Sequence, residues 1–149
     1  MNEKTRADCV SAMYELFPRG RKLIYEAFDR LGGELTRTQQ MILLALTVED
    51  NLSMSKLADR ICTSNEQATR AVAKLVDNGY LVRKQNPLNR RVVNITLTDK
   101  AKDYIADSKK SVLAATVERA GGLSAEDMEI IRQSIETVLN ILDKISGLA

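Results

Sequence analysis

Residues 64–97 read SNEQATRAVAKLVDNGYLVRKQNPLNRRVVNITL. Thr63 or Ser64 is placed to cap a helix, with Glu66 and Gln67 at the matching third positions of a capping box. Ala68, Ala71, Val72 and Leu75 form its apolar stripe. Asn78-Gly79 stops it, because glycine takes the left-handed conformation that ends helices. Residues 80–85 and 91–97 then alternate as strands, with Val93, Ile95 and Leu97 on one face and Asn94 and Thr96 on the other. Asn86-Pro87-Leu88-Asn89 joins them, a loop longer than the two-residue hairpin type. The order is helix, stop, strand, basic loop, strand.

Immediately upstream, Ser53 is a cap for a short helix carrying Leu57, Ala58 and Ile61, and Cys62-Thr63 makes a tight connection. Two short helices joined this way form a helix-turn-helix, whose second helix reads nucleic acid. Its outer face carries Ser64, Asn65, Gln67, Thr69, Arg70 and Lys74. Asn and Gln pair with adenine edges, Arg pairs with guanine, and Ser and Thr reach phosphates. Lys74, Arg83 and Lys84 are assigned to the phosphate backbone. Arg90 and Arg91, with Asn89 beside them, sit at the hairpin tip, where a guanidinium enters the negative potential of a narrow minor groove. The plain alternatives are a polar helix surface and a tip kept basic for solubility. Charge favours binding: residues 54–102 hold ten Lys/Arg against four Asp/Glu, whereas the net charge of the whole chain is only +2.

Outward from this segment, Thr36-Arg37-Thr38-Gln39 is a capping-box pattern for a buried helix running to about Leu46. Before it, Val10, Met13, Phe17, Ile24, Ala27 and Leu31 recur at spacings of three and four, with a gap at Gly20. Pro18 predicts a kink or break near 18–20, and Gly32-Gly33 an end. After the second strand, Thr98 caps a long helix to about Arg119, and Gly121-Gly122 breaks it. Ser124-Ala-Glu-Asp opens a last helix with Met128, Ile131, Ile135, Val138, Leu142 and Ile145 on one stripe. The two terminal stripes pack either inside the monomer or against a second copy. A second copy is the preferred reading, since one reading helix makes too few contacts for useful specificity.

The 149 residues suit a single domain. No run approaches the roughly 18 apolar residues of a membrane span, and MNEKTRADC lacks the features of a signal peptide, so the expected location is cytoplasmic. There is no histidine, and the two cysteines make neither a disulfide framework nor a metal motif. No catalytic site, metal or cofactor is expected, and the chain is not read as an enzyme.

LADRICTSNEQATRAVAKLVDNGYLVR and PLNRRVVNITLTDKA resemble the helix-turn-helix core and wing of the MarR family of transcriptional regulators. The resemblance covers almost the whole chain. It implies a mainly α fold with a small β-wing: a winged helix-turn-helix lobe over 34–98, a connecting helix over 99–120, and dimerisation helices over 1–33 and 121–149. It further implies a homodimer on a pseudo-palindromic double-stranded DNA operator, usually acting as a repressor, with Arg91 matching the wing arginine. Asn89 falls where the family usually has an aspartate, and Cys62 where glycine is frequent. Members often bind small aromatic or anionic effectors; Tyr14, Phe17, Arg21, Tyr25 and Met41 are the candidates here, and a guanidinium buried at Arg21 would need an anionic partner. Some members sense oxidants through an N-terminal cysteine, which makes Cys9, near Lys4 and Arg6, a redox candidate. Beside the repressor reading stand a winged-helix module for protein interaction and a cysteine-based redox regulator.

Overall fold

A computed structural model describes residues 3–33, 35–119 and 123–146. Its elements are α1 (Glu3–Arg30), α2 (Arg37–Val48), β1 (Leu52–Ser53), α3 (Met54–Arg60), α4 (Asn65–Asp77), β2 (Leu81–Gln85), β3 (Val93–Leu97), α5 (Asp99–Arg119) and α6 (Ala125–Ser146). The chain divides into two compact units, Met1–Val112 and Leu113–Ala149.

Capping chemistry sets most of the boundaries in the first unit. Thr36 Oγ1 accepts from the Gln39 N–H while the Gln39 side chain accepts from the Thr36 N–H, a reciprocal box that opens α2. Ser53 and Ser64 cap α3 and α4 with one bond each, accepting from the Lys56 and Gln67 N–H groups. Gly79, with φ +78°, closes α4 in the left-handed region. Thr98 Oγ1 accepts from the Ala101 N–H at the start of α5.

Of the kink or break expected near Pro18, the break does not occur: α1 is one helix through it. Proline costs one backbone hydrogen bond and about 3 kcal/mol in a helix interior, a penalty that the turns on either side outweigh in a helix of 28 residues. The apolar stripe of α1 is divided. Ala27 and Phe28 at its C-terminal end are buried, while Val10, Met13 and Phe17 stand exposed.

Ile42, Leu43, Leu46, Leu52, Leu57, Val72, Leu75, Leu81 and Ile95 form one buried cluster, with Ala101 and Ile105 of α5 beside them. Each large member contributes about 1.5–3 kcal/mol by leaving water. The sheet is antiparallel in the order β1-β3-β2. Hydropathy does not announce β1, which is two residues pairing Leu52 with Ile95 and Ser53 with Asn94. With β1 on one side and β2 on the other, β3 is central, so Asn94 and Thr96 are buried along with Ile95.

Phe28 stacks on Tyr104 at 5.6 Å between centroids, and Tyr80 meets the same ring edge-on at 5.5 Å. A Cβ on Gly33 would lie 2.7 Å from Tyr104 Oη, so a larger residue there would have to displace the Tyr104 hydroxyl. Burial pushes the Tyr104 phenol above its usual value.

In the second unit, α6 opens with Ser124 and Asp127 capping each other. Hydrogen bonds from Ser124 hold the Asp127 carboxyl below its usual range. Met128, Ile131, Ile135 and Val138 are exposed along one side. The expected break at Gly121-Gly122 and the Ile145 side chain lie outside the described residues.

Candidate nucleic-acid interface and effector groove

Ala68, Val72 and Leu75 turn α4 inward, and all three are fully buried. The opposite face therefore presents Ser64, Asn65, Gln67, Thr69, Arg70 and Lys74, each exposed. Their hydrogen bonding separates them. Gln67 is tied into the lobe: its Oε1 accepts from Thr63 Oγ1 at 2.6 Å, and its Nε2 donates to Thr38 Oγ1 of α2 at 3.4 Å. Thr69 Oγ1 donates to the Asn65 carbonyl one turn back at 2.7 Å. Arg70 faces Glu66 at 3.5 Å across one turn, with both side chains in solvent. Such a pair is worth little and gives way easily to a phosphate or base.

The turn before α4 holds Cys62 at φ +52°, where the Cys62 N–H donates to the Asp59 carbonyl and the Thr63 N–H to the Ala58 carbonyl. Glycine takes this conformation freely and cysteine does not, which explains why glycine suits the position. Beyond α4, Lys100 Nζ donates to the Asn78 carbonyl at 2.7 Å and lies over the Tyr80 ring, and Thr98 Oγ1 donates to the Gly79 carbonyl. The start of α5 thus clamps the C-terminal end of α4. Neither residue stands out in the sequence as part of the site, because the clamp pairs positions about twenty residues apart.

The wing is held by its own asparagines. The Asn86 N–H donates to the Val92 carbonyl, and Asn86 Oδ1 accepts from the N–H groups of Leu88 and Asn89. Asn89 Oδ1 accepts from the Arg91 N–H at 3.1 Å, and the Asn89 carbonyl accepts from the Val92 N–H. A neutral amide thus performs a local turn function open equally to an acid. Arg90 and Arg91, like Arg83 and Lys84 on β2, are exposed.

A groove of about 530 Å³ is lined by Pro18, Arg21, Lys22, Tyr25, Glu26, Asp29 and Arg37. Of the five expected effector residues it gathers Arg21 and Tyr25. Tyr14 and Phe17 are exposed on α1, and Met41 is half-buried on α2 away from the lining. Arg21 is not a buried guanidinium: it is exposed, 5.7 Å from the Phe17 ring centroid. In this groove Arg37 has an anionic partner. Its Nη1 and Nη2 meet Asp29 at 2.8 and 2.7 Å, Nη1 also reaches Gln40 Oε1 at 2.9 Å, and the guanidinium lies 4.4 Å from the Tyr25 ring centroid. Hydrogen bonds from Arg37 hold the Asp29 carboxyl below its usual range. Arg37 opens α2 and was legible only as a helix-start residue. Cys9 is exposed on α1.

Residues 35–93 match the sequence model described as MarR family. The chain is 29% identical over 120 residues to the uncharacterized HTH-type transcriptional regulator YkoM of Bacillus subtilis, covering 78% of this chain and 77% of that one. A MarR transcriptional regulator from Methanosarcina mazei superposes with a TM-score of 0.65 at 25% identity, over 93% of this chain and 99% of that one. The match over residues 35–93, together with these relatives, supports a MarR-family winged-helix regulator.

Its sheet is therefore the MarR wing, α3 and α4 are the helix-turn-helix, and the protein is a DNA-binding transcriptional regulator. A third relative in fold is reduced AbfR, solved bound to DNA, with a TM-score of 0.54 and 16% identity over 93% of this chain and 94% of that one. Among the described residues, no group of His, Cys, Asp and Glu is placed to hold a metal ion, and no helix is long and apolar enough to cross a membrane.

Proposed function

We propose that the protein is a homodimeric, sequence-specific repressor that releases its operator when a small anionic or aromatic molecule binds. The observation that carries the DNA contact is the division of α4: Ala68, Val72 and Leu75 are withdrawn into the core, and a polar, basic face is presented beside a wing stiffened by Asn86 and Asn89. In this reading Asn65 and Arg70 meet base edges. Ser64 and Thr69 contact neighbouring groups, and Gln67 positions the helix through Thr38. Lys74, Arg83 and Lys84 hold phosphates, and Arg90 and Arg91 serve the minor groove. The DNA-bound neighbour AbfR supports this use of the fold.

Pairing of two copies is supported by the apolar residues exposed along α1 and along α6. An effector is supported by the groove at Arg21, Tyr25 and Arg37, whose volume falls within the range of small-molecule sites. An anion there would compete with Asp29 for Arg37.

Titrating duplex DNA against salt tests the first part. Affinity should fall steeply as salt rises, and Arg91→Ala should lower the log–log slope by about one unit for one lost phosphate contact. Weak binding indifferent to salt would instead favour a protein-interaction module.

A further inference from the structure

Leu88 is the most exposed large apolar side chain among the described residues, at 97%. It sits at the tip of the wing next to exposed Pro87, in the chain order Pro87-Leu88-Asn89-Arg90-Arg91. A lone exposed leucine is ordinary on a protein surface, but this one is held in place: its N–H donates to Asn86 Oδ1 at 2.9 Å, and the loop around it is closed by the Asn86–Val92 and Asn89–Arg91 bonds. These bonds give the backbone of the tip a defined turn geometry. Arg90 and Arg91 follow Leu88 in the chain, and Arg83 and Lys84 lie on β2 of the same hairpin, all exposed, so the wing carries positive charge that draws it toward phosphates.

We propose that Leu88 is an apolar wedge that enters the DNA minor groove beside Arg90 and Arg91 and packs at a deformable base step, so that the wing selects sequence through flexibility as well as through charge. The inference rests on the reading of the wing as a minor-groove element. Small apolar side chains that enter this groove unstack a step, and pyrimidine–purine steps yield most easily. Leaving water gives Leu88 a favourable term with no counterion release, so its contribution should not depend on salt. Arg91, by contrast, should act almost wholly through the salt-dependent part.

The test uses the full chain and a duplex recovered with it from a random pool, with 2-aminopurine placed at the pyrimidine–purine steps facing the wing. Leu88→Asn, which removes the apolar surface at an exposed site, should bind about tenfold more weakly with an unchanged salt slope. It should also abolish the rise in 2-aminopurine fluorescence that the unsubstituted protein causes. Leu88→Met should restore affinity to within about threefold. Leu88→Asn binding as tightly as the unsubstituted protein would overturn the wedge, as would a slope that falls as it does for Arg91→Ala, or Leu88→Met proving as weak as Leu88→Asn. If the unsubstituted protein bound every duplex without salt dependence, the wing reading would fail, and the wedge with it. That outcome is distinguishable because it shows before any variant is made.

Discussion

On α4, Ala68, Val72 and Leu75 have no exposure at all; on α6, residues at the same spacing of three and four, Met128, Ile131, Ile135 and Val138, are between 38% and 50% exposed. The two stripes have the same kind of side chain and period, and they end in opposite environments. Around α4 the chain supplies α2, α3 and β2 as partners within a few tens of residues, so the face closes on a core made from one copy. Periodicity therefore identifies which face of a helix is apolar, and only packing identifies what covers it. The proposal that a second copy covers α6 and the exposed part of α1 rests on this contrast.

The contrast can be broken from either side. Leu75→Ala should destabilise the lobe by about 2–5 kcal/mol, the cost of a buried cavity. In chemical denaturation that loss should be the same at every protein concentration. Ile135→Asp should leave the lobe folded and weaken self-association about 100-fold, equivalent to about 3 kcal/mol. Sedimentation at graded concentrations reads this directly, and unchanged association would mean that α6 is covered in some other way. Cys62→Gly should raise stability by about 1 kcal/mol, because it relieves the left-handed backbone at the turn. A fall in melting temperature would show that the thiol's packing matters more than the φ angle.

The smallest effect concerns acid. Asp29 and Glu129 are held below their usual values by hydrogen bonds from Arg37 and Arg132, as Asp127 is by Ser124. Carboxyls lowered by folding stabilise the folded state above their unfolded values, near pH 4, and that contribution is lost as pH falls through the lowered folded values. Stability should thus be level from neutral pH to about 4.5 and decline below it. With no histidine in the chain, no imidazole step should interrupt the plateau. Arg37→Met should flatten the part of the decline that belongs to Asp29.

Local signals account for what was legible in the sequence. Thr36, Ser53, Ser64, Asn78-Gly79 and Thr98 each declare a helix end through chemistry with neighbours a few residues away, and the structure uses all of them. The reading-helix face followed from its apolar opposite. The features that were missed depend on pairs far apart in the chain. Arg37 finds Asp29 eight residues back, Lys100 finds Asn78, and Gln67 finds Thr38 across 29 residues. Strand β1 is two residues whose only signal is a partner more than forty positions away. Pro18 does not end α1 for a related reason: a breaker acts within a long helix whose other turns absorb its cost.

The central claim is that residues 64–97 form half of a reading unit whose other half belongs to a second copy. Selecting duplexes from a random pool with the intact protein tests it most directly. The recovered sequences should be inverted repeats with half-site centres about one helical turn, roughly 10 base pairs, apart or a multiple of that. A single site with no internal repeat, bound at the same affinity as any longer duplex containing it, would contradict the claim.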